Sequence, residues 1–154
     1  RSITNNEELL LRNPNAIRPW QHVLEPLSGY LQLAVTLDNK IHGEAYNFGP
    51  STINKYSVND LVSQMNKSLN DLKWTSEADK KDAFYESGLL MLNCDKALND
   101  LSWYSVMNFE QTVKMTSEWY RDYNKDNCSE ITLKQIKEYK NIAVKKGLMW
   151  TNLF

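Results

Sequence analysis

Arg18-Pro19-Trp20-Gln21-His22-Val23-Leu24-Glu25-Pro26-Leu27-Ser28-Gly29-Tyr30-Leu31 changes character halfway along. Its first part is turn-like, because Pro19 fixes its own φ and biases Arg18 away from helical backbone. From Val23 the pattern is helical, with Leu24, Leu27, Leu31 and Ala34 at spacings of three and four. Pro26 falls where a first helical turn tolerates a missing N–H. The spacing predicts a helix over about Leu24 to Leu37. Val23, Tyr30 and Leu33 lie beside its main stripe, so apolar residues occupy more than one face. Such a helix is expected to leave apolar surface for a partner to cover.

Upstream, Glu8-Leu9-Leu10-Leu11-Arg12 is a short apolar run stopped by Asn13-Pro14-Asn15, a strand entering a turn. Downstream, Ala45-Tyr46-Asn47-Phe48 reads as a strand closed by Gly49-Pro50. Ser57-Val58-Asn59-Asp60 then starts a helix in the manner of a capping box. Val58, Leu61, Val62, Met65 and Leu69 form its amphipathic stripe. Leu72-Lys73-Trp74 and Leu89-Leu90-Met91-Leu92 are expected as short strands, the second leading into a helix through Asp95-Lys96-Ala97-Leu98. Asn108 caps a helix with Phe109, Thr112, Val113, Thr116, Tyr120 and Tyr123 on one face. A last helix runs from about Ser129, with Ile131, Ile136 and Ala143, toward Gly147 as its stop.

The bulk composition narrows the function classes. The chain has 154 residues, 42% hydrophobic and 24% charged, in the range of one globular domain. Its net charge of −1 gives no general attraction to nucleic acid or an anionic membrane surface. No apolar run reaches the roughly 20 residues of a membrane helix. Cys94 and Cys128, with His22 and His42 far off, give neither a disulfide framework nor metal-ligand spacing. They read as reduced thiols of a cytoplasmic protein. The chain opens on Arg1 rather than Met, the expectation for a fragment or a processed product.

The segment Arg18–Leu31, with Arg12-Asn13-Pro14-Asn15-Ala16-Ile17 before it, resembles the corresponding segment of CDP-glucose 4,6-dehydratases. Ala45–Pro50, Leu92-Asn93-Cys94-Asp95-Lys96-Ala97, Leu101-Ser102-Trp103, Thr116-Ser117-Glu118-Trp119-Tyr120 and Gln135-Ile136-Lys137-Glu138-Tyr139 continue it in order. The resemblance covers residues 1–140, a sugar-nucleotide-binding C-terminal portion, and leaves 141–154 as an extension of unknown role. It implies an extended short-chain dehydrogenase/reductase, here its α/β substrate-binding part, with short strands, four to five helices and no Rossmann N-terminal half. In the full enzyme it implies NAD on that half and a reaction that turns CDP-glucose into CDP-4-keto-6-deoxyglucose.

The catalytic machinery that the family uses is missing from these 154 residues. There is no glycine-rich dinucleotide loop, and none of the eight tyrosines has a lysine four residues on. No catalytic residue and no cofactor are therefore expected on this chain alone. By resemblance, Arg18 contacts the substrate pyrophosphate, which suits a planar guanidinium, and Asn47 contacts the phosphate. Trp20, His22 and Tyr85 are further substrate-pocket candidates, whereas Arg12 is expected to be an exposed charge.

The sequence departs from the family pattern at Tyr85-Glu86, where a His-Glu pair is expected. It also departs at Met91 for a Lys, Asn93 for an Asp and Ser102 for a Gly. The expected partners are CDP-glucose or another nucleotide sugar and the Rossmann half, with no nucleic acid and no membrane. A homodimer stays open, as does a non-catalytic nucleotide-binding or interaction module, or part of a dehydratase or epimerase that uses another nucleotide.

Overall fold

The computed structural model describes residues 7–36, 41–70, 72–76, 87–123 and 127–153. Tyr85 and Glu86 lie outside these residues, as does Leu37 at the end of the expected first helix. The architecture is α/β. In chain order it runs β1 (Leu9–Leu11), α1 (Leu24–Thr36), α2 (Val58–Leu69), β2 (Trp74–Ser76), α3 (Asp95–Leu101), α4 (Phe109–Asp122) and α5 (Cys128–Lys145), then a 3-10 turn at Met149–Leu153. β1 and β2 pair in parallel, Leu9 opposite Trp74 and Leu11 opposite Ser76. Parallel pairing needs a long crossover, and the stretch carrying α1 and α2 supplies it.

Helix starts follow local chemistry. Ser57 and Asp60 form a full capping box on α2: the Asp60 amide donates to Ser57 Oγ at 3.1 Å, and the Ser57 amide donates to Asp60 Oδ2 at 2.8 Å. Asn108 and Gln111 repeat the device on α4. Gly147, at φ +75°, ends α5 in the left-handed conformation that a glycine adopts without steric cost.

Two expected strands do not form. Leu89 makes a single parallel bridge to Ile17, and Ala45–Phe48 is irregular. A strand exists only beside another backbone, and among the described residues none lies alongside Ala45–Phe48. Side chains meet its carbonyls instead: Gln21 Nε2 donates to Phe48 O at 3.0 Å and Lys96 Nζ to Ala45 O at 3.4 Å. The strand expected over Leu72–Trp74 lies two residues further on, at Trp74–Ser76.

The larger core joins Ala97 and Leu101 of α3, Trp103 and Val106 of the loop after it, and Tyr139 and Ala143 of α5. Leu148 and Trp150, beyond the family resemblance, are buried in the same cluster. A smaller cluster of Leu11, Val62 and Leu72 seals β1 and β2 against α2. The fully buried residues of α1 are Glu25, Ser28, Gly29 and Gln32, mostly polar, while Leu24 and Leu33, partly buried, pack against the larger core. Val23, Leu27, Tyr30 and Leu31 stand on its exposed side. α5 faces the same core with Tyr139 and Ala143 and buries Gln135 beside them, while Ile136 is exposed.

Candidate functional site

Ile17 is the knot that places the candidate residues. Its amide donates to Gly88 O at 2.8 Å, its carbonyl accepts from Leu90 N at 3.1 Å, and it bridges Ser57 on the other side. Residues 17–20, the loop before α2 and the segment near Leu92 therefore converge on one wall. Between them opens a cleft of about 350 Å³ lined by Arg18, Trp20, Lys55, Tyr56, Asn108 and Phe109, among others. A second cleft of about 790 Å³ adjoins it and reaches Asn93, Cys94 and Tyr104. The two share Pro50, Ser51, Thr52, Lys55, Met91 and Leu92, so they are lobes of one groove.

The first lobe combines positive charge with flat aromatic surface. Arg18 and Lys55 bring two cations and Glu110 one carboxylate. Tyr56 and Phe109 stack with ring centroids 3.8 Å apart and planes within 5°. Trp20 is fixed by its indole N–H, which donates to Tyr56 O at 3.1 Å. Such a lobe suits a ligand that carries a planar ring and an anionic group.

Of the residues singled out from the sequence, the structure brings Arg18 and Trp20 together at this lobe. The Arg18 guanidinium also anchors backbone, donating from Nη1 to Ile17 O at 2.8 Å and to Ser87 O at 3.0 Å. Asn47 lines neither lobe. Its side chain donates to Asn93 O at 3.2 Å, tying its segment to the rim of the second lobe.

His22 lies elsewhere, buried beside Gln135 and Thr116 in a notch between the start of α1 and helices α4 and α5. Its Nδ1 accepts the Leu24 amide at 3.3 Å, and burial holds its pKa below the usual histidine value, against a hydrogen bond with Gln135. The neutral ring thus caps α1 and is not part of the groove. Tyr85 lies outside the described residues, and Arg12 is exposed.

Sequence reasoning missed Lys55, Tyr56 and Phe109. Their only linear signal is position: Tyr56 immediately precedes the Ser57 cap and Phe109 immediately follows the Asn108 cap, so two helix starts deliver the stacked pair.

The groove offers little covalent chemistry. Burial pushes the Cys94 thiol up, away from the thiolate form that a nucleophile needs. Among the described residues no group of three metal-ligating side chains exists. The five glycines, at 29, 43, 49, 88 and 147, form no glycine-rich loop. The two with positive φ, Gly43 and Gly147, begin no helix. Among the described residues no glycine-rich turn leads into a helix, the feature that holds a dinucleotide pyrophosphate.

Over 124 residues, 79% of this chain, the sequence is 33% identical to CDP-glucose 4,6-dehydratase of Salmonella typhimurium. The chain is similar to the C-terminal part of that dehydratase. The chain spans about a third of that relative's length, 34%. No protein-family model matches. Among solved structures, dTDP-glucose 4,6-dehydratase of Bacillus anthracis in complex with NAD is similar, with a TM-score of 0.60 at 22% identity. That match covers 84% of this chain and 39% of the other. UDP-glucose 4-epimerase of Bifidobacterium longum, in complex with NAD+ and UDP, also gives 0.60, at 16% identity, over 82% of this chain and 38% of its own. The fold is thus that of the C-terminal portion of extended short-chain dehydrogenase/reductases. No helix among the described residues is long and apolar enough to cross a membrane.

Proposed function

We propose that this chain is the nucleotide-sugar-binding part of a CDP-glucose 4,6-dehydratase-type enzyme. The observation that carries this reading is the 124-residue match to that dehydratase; in this chain, Arg18 and Trp20 line the charged, aromatic lobe. In this reading Arg18 and Lys55 face the diphosphate, and the second lobe takes the sugar. A preceding NAD-binding half completes the enzyme that makes CDP-4-keto-6-deoxyglucose and rests on the exposed apolar side of α1. By itself the chain dehydrates nothing, because hydride transfer needs a bound nicotinamide and a proton-transfer residue. We place the protein in the cytoplasm, on the strength of two unpaired thiols, Cys94 and Cys128.

The test is calorimetric titration of CDP into the wild type, Arg18→Ala, Arg18→Lys and Arg12→Ala at fixed salt, with a parallel assay for a 4-keto product from CDP-glucose and NAD. The wild type binds; Arg18→Ala weakens binding roughly ten- to a hundred-fold, the worth of a charge-assisted pair. Arg18→Lys recovers little of that loss, since it lacks the bidentate fork, and Arg12→Ala changes nothing. Equal affinity in Arg18→Ala overturns the Arg18 assignment, and any turnover above a no-protein control overturns the inactivity. A second reading, a non-catalytic interaction module, draws on the bonds that commit Arg18 to the carbonyls of Ile17 and Ser87. A wild type that does not bind CDP favours it.

A further inference from the structure

Between α3 and α4 the chain runs irregularly from Ser102 to Asn108, yet Trp103 and Val106 are fully buried. Buried backbone amides outside regular structure need acceptors. Those of Val106 and Met107 are met by one side chain from far away in sequence. Glu25 Oε1 accepts from Met107 N at 2.7 Å and from Val106 N at 3.0 Å. Its Oε2 accepts from Tyr139 Oη at 2.8 Å.

The same stretch is gripped on both sides of that contact. Trp103 Nε1 donates to Ser28 Oγ at 3.0 Å, and Lys146 Nζ donates to Val106 O at 2.6 Å. The loop these bonds hold is the wall of the groove. Trp103, Tyr104 and Ser105 line the second lobe, and Met107, Asn108 and Phe109 line the first.

We propose that Glu25 is the positioning residue of the groove: its buried carboxylate fixes the backbone at Val106 and Met107 and thereby sets where the Met107–Phe109 wall stands against Arg18. An ionised carboxylate is suited to this task because it only accepts, on two oxygens, so it takes two neighbouring N–H groups and a hydroxyl together. A glutamine would turn an NH2 toward one of these donors and leave it unmet. The titratable and charged side chains that face the carboxylate are Tyr139 on α5 and Lys146 just after it. Burial raises the carboxyl's pKa despite the Met107, Tyr139 and Val106 bonds and the Lys146 charge. The grip therefore loosens at a higher pH than an exposed glutamate would titrate.

The test has a ligand-free arm and a ligand arm, and only the second rests on the nucleotide reading above. In the first, the amide resonances and hydrogen exchange of residues 106–109 are followed against pH in the full chain. In the wild type the Val106 and Met107 amides shift through one titration, and their exchange relative to the intrinsic rate at each pH becomes about ten-fold faster once Glu25 is protonated, the cost expected of losing such a bond. In Glu25→Gln they are already displaced and do not titrate. If that variant fails to fold, the wild-type titration decides by itself.

In the ligand arm, Glu25→Gln binds CDP about ten-fold more weakly than wild type. Leu72→Ala, which weakens the separate small core, keeps wild-type affinity. Resonances at 106–109 that ignore both pH and the substitution overturn the proposal. So does a folded Glu25→Gln that binds CDP as well as wild type. A wild type that does not bind CDP sinks the nucleotide reading only, and the amide arm then decides the role of Glu25.

Discussion

Ser102 shows what a single position costs. It ends α3 at φ +52°, in the left-handed region that disfavours any residue with a Cβ. Ser102→Gly is expected to stabilise the chain by about 1 kcal/mol, the usual penalty for a non-glycine residue there, read as a higher urea midpoint. An unchanged midpoint would show that the strain is already relieved. His22 gives a pH prediction. Its folded pKa lies below the unfolded one, so the native state binds fewer protons, and stability is lost as pH falls from about 6.5 through the lower folded value. His22→Asn keeps an acceptor near the Leu24 amide and does not titrate. Below pH 6.5 the wild type should lose stability relative to this variant by up to about 1.4 kcal/mol per pH unit, and parallel curves would refute this.

Helix α1 departs from a simple apolar-inside rule. α1 hides Glu25, Ser28 and Gln32 and shows Leu27 and Tyr30 at 45% and 61% exposure. The inward polar groups are all engaged: Gln32 Nε2 donates to Leu101 O at 2.9 Å, and Gln32 Oε1 accepts the Trp150 amide at 3.0 Å. Satisfied polar groups inside cost little, and Leu27 and Leu31 stand exposed. Two substitutions of leucine should therefore part company. Leu27→Gln is expected to change unfolding free energy by less than about 0.5 kcal/mol, as surface changes do. Leu101→Ala, at 0% exposure, should cost about 2–5 kcal/mol. Comparable losses in chemical denaturation would mean that α1 does not present its apolar face to solvent.

For the whole molecule, the C-terminal turn closes the larger core, since Leu148 and Trp150 pack with Tyr139 and Ala143, and Trp150 stacks on Tyr139 at 6.2 Å. Trp150→Ala is accordingly expected to cost about 3–5 kcal/mol, the range for a buried aromatic; a loss below 1 kcal/mol in thermal or urea unfolding would make the turn an appendage. What the sequence alone determined is what local chemistry decides. Ser57 and Asn108 mark helix starts because their side chains reach amides three residues on, Gly147 marks a stop because glycine adopts the left-handed backbone there without steric cost, and the ordered run from Arg18 to Leu31 carries the resemblance. Only the tertiary structure decided which faces are buried, that Ala45–Phe48 has no strand beside it, that Tyr56 and Phe109 stack, and that Glu25 holds Val106 and Met107. The reason is physical: periodicity reports where apolar side chains lie along a helix, whereas the choice of inward face depends on hydrogen-bond partners that the chain brings near only when it folds.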